Sequence, residues 1–460
     1  MHLLRVQVPD FRVLKDIDIT FEQSFSPNVF PLGSLNGGGK STLLQLIFIL
    51  LHCSAHSERH QFIINMLERV TIPEGENSKL LARFEFIDES NEKIELEFTL
   101  CNDDYLRELD IDPIFNKEVI SFDVFLKEKE LISERVNKGE NEEKIKRGDF
   151  SDQYYDEDSP ITVADHHKEL RSRIEIINRL RIEKINKRLK TIQPLLDNLS
   201  EFFTLKNQYY ITSYSCNDRA TGLVCQSLGV SHTTKDIQAI LTIVSKQVFL
   251  SAPSTQIYLF LPKEANKLLF KKLDLKRDHL ISNYESKLDE VKNKIPNFLT
   301  FDVFAVDIVV ALIEHARNQD FKTLVNTNIN GTSYQKIMAE LNLLTQDKKV
   351  QPQLDENAAI TGIVFKTNDG IEIYPEDLSH GELKRLSIYV WLKTLPKGEN
   401  IVLMDEIENA LHPDWQYQIV RDLVEWGKDN QYILATHSYG LCEALTPAHV
   451  KELEPKLMTH

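Results

Sequence analysis

Cysteine is scarce: Cys53, Cys101, Cys216, Cys225 and Cys442 are odd in number, scattered, and never spaced C-x-x-C. That argues against a disulfide framework and a cysteine zinc site, and it suits a reducing compartment. No apolar run approaches the roughly 20 residues of a membrane helix. The N-terminus also lacks the basic-then-apolar pattern of a secretory signal. A cytoplasmic protein without a membrane segment is expected. An excess of positive charge is missing too, since 54 basic residues face 70 acidic ones, a formal net charge of −16. A surface coated in nucleic acid is thereby disfavoured, although a local basic groove is not. Internal repeats, low-complexity tracts and sustained heptads are absent, so no long coiled-coil arm is expected.

What is present starts with 460 residues, 42% hydrophobic and 27% charged, which can bury a sizeable core as one large interrupted domain or two. The chain is organised around Ser34-Leu35-Asn36-Gly37-Gly38-Gly39-Lys40-Ser41-Thr42. An apolar run at 28–32 precedes it and reads as a buried strand. Leu43, Leu44, Leu46, Ile47, Leu50 and Leu51 follow at helical spacing. Strand, glycine loop and helix is the setting of a phosphate-binding loop. Glycines let backbone N–H groups turn inward around phosphates at a helix N-terminus, where the dipole also favours anions. Asn36, Gly37, Gly38, Gly39, Lys40, Ser41 and Thr42 are therefore expected to hold a nucleoside triphosphate, with Lys40 at the β- and γ-phosphates and the Ser41 hydroxyl on Mg²⁺. One departure stands out: the first glycine of G-x-x-x-x-G-K-[ST] falls on Ser34, with Gly33 one place early.

Residues 3–8 and 11–21 alternate and read as paired strands ahead of the loop. Two more alternating strands, 80–87 and 93–100, flank a turn at 88–92 and are placed in a β-subdomain beside the nucleotide. His52, His56 and His60 sit four apart, which raises a metal site. No carboxylate pattern accompanies them, and an exposed polar helix end is the expectation. From about residue 102 the composition shifts. The charged stretch 138–158 is expected to be a loop, and 167–203 a helix interrupted near Pro194. The polar face of that helix carries Arg171, Arg173, Arg179, Arg181, Lys184, Lys187, Arg188 and Lys190. This is either a nucleic-acid contact or, given the interspersed Glu residues, a solvated face, and the second reading is favoured. Residues 247–261 read as strand-turn-strand, and 264–291, 301–317 and 333–344 as helices. Residues 348–356, with Pro352, read as a linker, and Asn368-Asp369-Gly370 as the turn of a hairpin.

Four further pieces follow in order. Leu378-Ser379-His380-Gly381-Glu382 opens a helix, with Ser379 a natural N-cap and the N–H groups beside Gly381 an anion site. Residues 400–406 form a buried strand ending in Asp405 and Glu406. Asp405 is suited to hold Mg²⁺ through its water shell, and Glu406 to activate the attacking water. Residues 407–413 form the turn into the next helix. Residues 432–438 form a further strand ending in Thr436-His437-Ser438, with His437 placed for the γ-phosphate. Each piece alone reads as a helix cap or a turn. Their joint spacing, with room for a helix and a strand between consecutive pieces, is specific.

Together these residues resemble the ATP-binding-cassette ATPases of the SMC, RecF and OLD branch. Ser34 to Thr42 stands for Walker A, LSHGE for the signature, IVLMDE for Walker B, ENALHP for the D-loop region and ATHS for the switch histidine. His380 and Glu382 depart from the usual Gly and Gln of LSGGQ. The resemblance implies an α/β P-loop NTPase with an ABC-like split head, a mixed sheet flanked by helices, and a large mainly helical insertion. The boundaries are an N-terminal lobe at 1–101, the insertion at 102–355 and a C-terminal lobe at 356–460. It implies ATP and Mg²⁺ as cofactors, hydrolysis at a rate that the signature departures would lower, and a homo-oligomer in which Ser379, Gly381 and Glu382 of one chain complete the site of another. A Q-loop glutamine is expected, with Gln61 and Gln256 both open. Within the branch, MDEIENALHPDWQ followed by ATHS is most similar to stand-alone ATPases of anti-phage systems such as Septu and PARIS. The sequence runs only to His460 past the switch strand, so no TOPRIM nuclease is expected on this chain. Any nuclease effector is then a separate protein. A RecF- or SMC-like repair ATPase that binds DNA is the alternative.

Overall fold

The computed structural model describes residues 1–34, 37–68, 70–88, 90–108, 121–122, 124–128, 130–132, 163–216, 219–228, 233–253, 256, 260, 294–300, 306–345 and 347–453, with some side chains in 163–181 and that of residue 307 left aside. The loop expected at 138–158 and the helix at 264–291 lie outside the described residues, as does most of the second half of the strand-turn-strand expected at 247–261.

The alternating segments near the N-terminus pair as expected. β1 (His2–Phe11) and β2 (Leu14–Thr20) form an antiparallel hairpin with Val6 opposite Ile19. β4 (Ser78–Ile87) and β5 (Lys93–Asn102) form another. Two strands from further along, β6 (Gln208–Cys216) and β7 (Arg219–Leu228), extend them into a six-stranded antiparallel sheet ordered β2-β1-β4-β5-β7-β6.

A second six-stranded sheet is parallel throughout. It is ordered β15 (Lys451–Glu452), β3 (Val29–Gly33), β14 (Gln431–Ala435), β13 (Ile401–Asp405), β8 (Val248–Ala252) and β9 (Phe298–Thr300). Its central strands are buried on both faces, which is why they read as unbroken apolar runs. Alternation divides each strand between two cores. Phe30, Leu32, Ile401, Leu403, Ile433 and Ala435 join the cluster around α1 (Lys40–Cys53), whereas Val402, Met404, Tyr432 and Leu434 face α8 (His380–Thr394) and α9 (Pro413–Trp426). Helix α1 packs between the two sheets and is apolar nearly all round. The expected split head is therefore present, with strand directions mixed between two sheets and uniform within each.

The span 102–355 is less separate from the head than its expected boundaries imply. It supplies β6 and β7 to the antiparallel sheet and β8 and β9 to the parallel one, and α5 (Thr234–Gln247) packs on α1. A five-residue buried strand carries no sign of its partner in its own sequence, so this pairing was not legible. The remainder holds α4 (Val163–Leu205), α6 (Val306–Thr327) and α7 (Ser333–Leu344). α4 runs for 43 residues straight through Pro194. An interior proline removes one ladder bond. Here Leu196, Leu199, Phe202 and Phe203 seat the following turns in a core shared with Phe122 and Val224, so the expected interruption does not occur. The expected linker is also a strand, β10 (Lys348–Leu354), at the edge of a three-stranded sheet with β11 (Ile360–Thr367) and β12 (Glu372–Ile373). An edge strand can accommodate Pro352, whose ring has no N–H to contribute. The Asp-Gly hairpin joins β11 to β12, with Gly370 at φ 84°.

Helices α8 and α9 are locked by a buried ion pair. Arg385 donates from Nε and Nη2 to Asp422 Oδ2 at 2.9 and 2.6 Å, and its guanidinium lies over the Trp415 and Trp426 rings. Removing one partner of a buried pair leaves the other charge uncompensated. Asp422→Ala is expected to lower unfolding stability by about 3–5 kcal/mol. Asp422→Asn, which keeps an acceptor, should lose less. Urea midpoints of the two variants against the parent check this ordering.

Candidate nucleotide site

The carboxyl edge of the parallel sheet collects the chemistry. β3 leads into the glycine loop, β13 ends at Asp405, β14 is followed by Thr436 and His437, and β8 precedes Gln256. Open parallel sheets bind ligands at this edge because successive strands all deliver their following loops there.

The glycine loop has the conformation its residues suggest. Gly37 and Gly39 hold φ 82° and 92°, and Gly39 caps α1 by accepting from Leu43 N at 2.8 Å. A Cβ on Gly39 would come 2.5 Å from Leu14 Cδ2, so both its backbone angle and its contact with β2 require glycine. Lys40 is buried, and its Nζ donates to Ser34 O at 2.9 Å, Ser34 Oγ at 3.2 Å and His437 Nδ1 at 3.4 Å. The departure at Ser34 thus places a hydroxyl beside the lysine. The His437 contact joins residues 397 positions apart, so the two ends of the chain meet here as expected. Asn36 lies outside the described residues, while Thr42 follows Ser41 in the first turn of α1.

Asp405 is almost fully buried and is met by Ser41 and by the Gln256 amide. Burial raises its pKa, and the negative charges of Glu406 and Glu408 push the same way. The Ser41 and Gln256 bonds act against them. Burial lowers the Lys40 pKa, while Asp405, Glu408 and Glu406 oppose that fall. Three carboxylates therefore share one lysine. A hydroxyl and a carboxylate beside that negative excess are hard oxygen donors of the kind Mg²⁺ takes. Ser41 and Asp405 fit a Mg²⁺ ion on this ground.

Of the two glutamines left open by the sequence, Gln256 is at the site. It donates to Asp405 and accepts from Gln45 Nε2 at 2.9 Å. Gln61 donates to Asn65 on an exposed face of α2 (His60–Leu67). Glu408 was read only as part of a turn, yet it is buried and its Oε1 accepts from His437 N at 2.6 Å, fixing the start of the histidine segment. A third acidic residue two places after Glu406, beyond Ile407, is the available signal. Glu406 has φ 51°, and its Oε2 accepts from Asn409 Nδ2 at 2.5 Å.

The signature forms the start of α8. Ser379 caps α8, accepting from Glu382 N, while Glu382 Oε2 accepts from Ser379 N at 3.0 Å and Ser379 Oγ at 2.8 Å. Glu382 Oε1 pairs with Lys348. Burial pushes the Glu382 pKa up, but Lys348 and the Ser379 donors outweigh it and hold it below the usual carboxylate range. Within the chain, Oε2 thus serves the helix start while Oε1 faces β10. Gly381 is buried, since a Cβ would come 2.8 Å from Ala410 O and 3.1 Å from the Trp415 ring. Beside them a cavity of about 710 Å³ is lined by Ser379, His380, Gly381 and the 410–415 turn.

The histidines at 52, 56 and 60 form no metal site. His52 is buried, its Nδ1 2.7 Å from Ser245 O and its Nε2 within 3.1 Å of Arg59, and burial together with Arg59 lowers its pKa to about 3. His56 meets Ser245 Oγ at 3.2 Å, and His60, on a different helix, meets Ser54 O at 3.2 Å. The expected exposed helix end is instead covered by α5. Among the described residues no cluster could hold a metal ion through His, Cys, Asp and Glu alone, and no helix is long and apolar enough to cross a membrane.

The chain is similar to several known proteins. A retron Ec83 probable ATPase of Escherichia coli is 40% identical over 53 residues, 12% of this chain and 10% of that protein, so the chain spans about a tenth of that relative's length. An SMC head bound to the C-winged helix domain of ScpA is 14% identical, covering 96% of this chain and 92% of that one, with a TM-score of 0.37. The SMC head of Thermotoga maritima is 11% identical over the same shares, with a TM-score of 0.35. The family described as the AAA ATPase domain matches residues 1–441. With nearly the whole sequence matched, the chain belongs to the AAA ATPase domain family.

Proposed function

We propose that two copies of the chain close head to tail over ATP, and that this ATP-dependent assembly controls a separate effector, a nuclease, in anti-phage defence. One observation carries the paired reading: Lys40, Ser41, Gln256, Asp405 and His437 converge at one sheet edge, while Ser379 and Gly381 form a capped helix start beside an open cavity that none of those five residues lines. Helix N–H groups at such a start favour an anion. The backbone of Asn36 to Gly39 and Lys40 would hold the phosphates, with Thr42 beside them. Ser41 and Asp405 would hold Mg²⁺, whose charge would offset that of the phosphates. Glu406 would take the proton of the attacking water, His437 would meet the γ-phosphate, and Gln256 would steady Asp405. Ser379 and Gly381 would face the partner's phosphate, with Glu382 keeping that helix start in shape. The lobes are 1–101 and 356–460, completed by the strands that 102–355 lends them. The match to a probable ATPase of a retron supports the ATPase reading, and the spelling of the C-terminal motifs supports the kinship with Septu and PARIS ATPases.

Gly381 is unsuited to a test of pairing because its own chain needs it bare. His380 is exposed on the rim of the cavity. His380→Glu sets a carboxylate against the partner's phosphate without filling the core. It is expected to leave ATP binding by the single chain unchanged and to weaken ATP-dependent association about tenfold or more. Light scattering with and without ATP reads this, and a wild-type chain that hydrolyses ATP as a strict monomer would end the paired reading. For the effector, the chain is co-expressed with any neighbouring reading frame bearing HNH or TOPRIM residues, and retention of that product with ATP is measured. Exposed Arg179, Lys184, Lys187, Arg188 and Lys190 on α4 favour the DNA-binding alternative, which salt-dependent binding of the purified chain would support.

A further inference from the structure

The turn after β13 contains two non-glycine residues at positive φ, Glu406 at 51° and Ala410 at 64°. Side-chain-bearing residues persist there only where their surroundings over-determine them. At Glu406 the N–H donates to Ala435 O at 2.9 Å, and the carbonyl accepts from Lys384 Nζ at 2.8 Å. Lys384 is only 4% exposed and also donates to Asn409 O at 2.9 Å. At Ala410 the carbonyl lies against Gly381, close enough to exclude a Cβ. Gly381 and Lys384 are three apart on α8 and so share a face. The helix that begins at the signature therefore grips the turn carrying Glu406 near both of its strained residues. The Arg385–Asp422 pair ties that helix to α9, at the far end of the same turn.

We propose that Lys384 is a positioning residue that carries the seating of Ser379 and Gly381 on the partner's nucleotide into the placement of Glu406 in its own chain. This rests on the paired reading above. Lys384 bridges the carbonyls of Glu406 and Asn409, and the Asn409 side chain holds the Glu406 carboxylate. A shift of the helix start thus reaches both the backbone and the carboxylate of Glu406, and the two nucleotide sites of a pair become coupled.

The test uses pairs of differently tagged full-length chains, co-expressed and purified through both tags. In one pair a single chain carries Lys384→Met and Glu406→Gln together, opposite wild type. In the other pair the two substitutions sit on opposite chains. If Lys384 serves only its own Glu406, the first pair keeps one intact site and about half of wild-type turnover, and the second falls below about a tenth. A lysine that merely held the fold or its own signature would impair the first pair as well, because that chain's signature serves the surviving site. Equal turnover in the two pairs would overturn the proposal. Homomeric Lys384→Met should bind a fluorescent ATP analogue and associate with ATP as wild type does, with the loss confined to kcat. Loss of either property would also count against it. Lys384→Gln, which keeps a shorter donor, serves if the methionine variant does not fold, and should show the same asymmetry in smaller degree. Failure of wild type to associate with ATP would bring down the paired reading itself, a result distinct from equal turnover in mixed pairs.

Discussion

Lys40→Ala is expected to remove ATP binding at working concentrations. The Lys40 side chain projects from the first turn of α1 into a site where Asp405, Glu406 and Glu408 already supply an excess of negative charge. Without it, a triphosphate would meet those carboxylates with no lysine on the loop to offset them. Loss of a buried, charge-assisted contact costs about 2–5 kcal/mol, and about 1.4 kcal/mol is tenfold in affinity. A fall of about three hundredfold is therefore the middle of the range. The backbone donors of the glycine loop remain, so the fold should survive. The affinity of a fluorescent ATP analogue, with circular dichroism to confirm folding, checks this. Affinity within a few-fold of wild type would sink the assignment of the loop.

Glu406→Gln should behave in the opposite way, keeping affinity while turnover falls by about two to four powers of ten. The amide retains an oxygen that can accept from Asn409 Nδ2, so the turn should hold its shape and the change isolates proton acceptance. With turnover stopped, ATP-dependent association should outlast that of wild type, which light scattering after ATP addition would follow alongside phosphate release. Parental turnover would place the base elsewhere. Glu408 would be the next candidate, since its Oε2 is buried without a hydrogen-bond partner among the described residues while its Oε1 holds the His437 backbone.

What the sequence determined by itself was local and periodic. Glycines 37 to 39 ahead of Lys40, alternation in β1, β2, β4 and β5, the apolar runs of β3, β13 and β14, the Ser379 cap and the turn at Gly370 all follow from backbone preferences within a few residues. What only the tertiary structure decided concerns partners distant along the chain. Nothing near Gln256 or Gln61 says which of them meets Asp405. The run at 248–252 is apolar whether or not it lies beside β13. Lys348 looks like part of a linker until β10 brings it to Glu382, and His52 looks exposed until α5 covers it. Lys384 is one more cation in a charged helix until the 406–410 turn closes over it. Local rules report what a segment prefers alone, whereas burial and pairing depend on which segments meet, and those meetings are settled by the packing of the whole core.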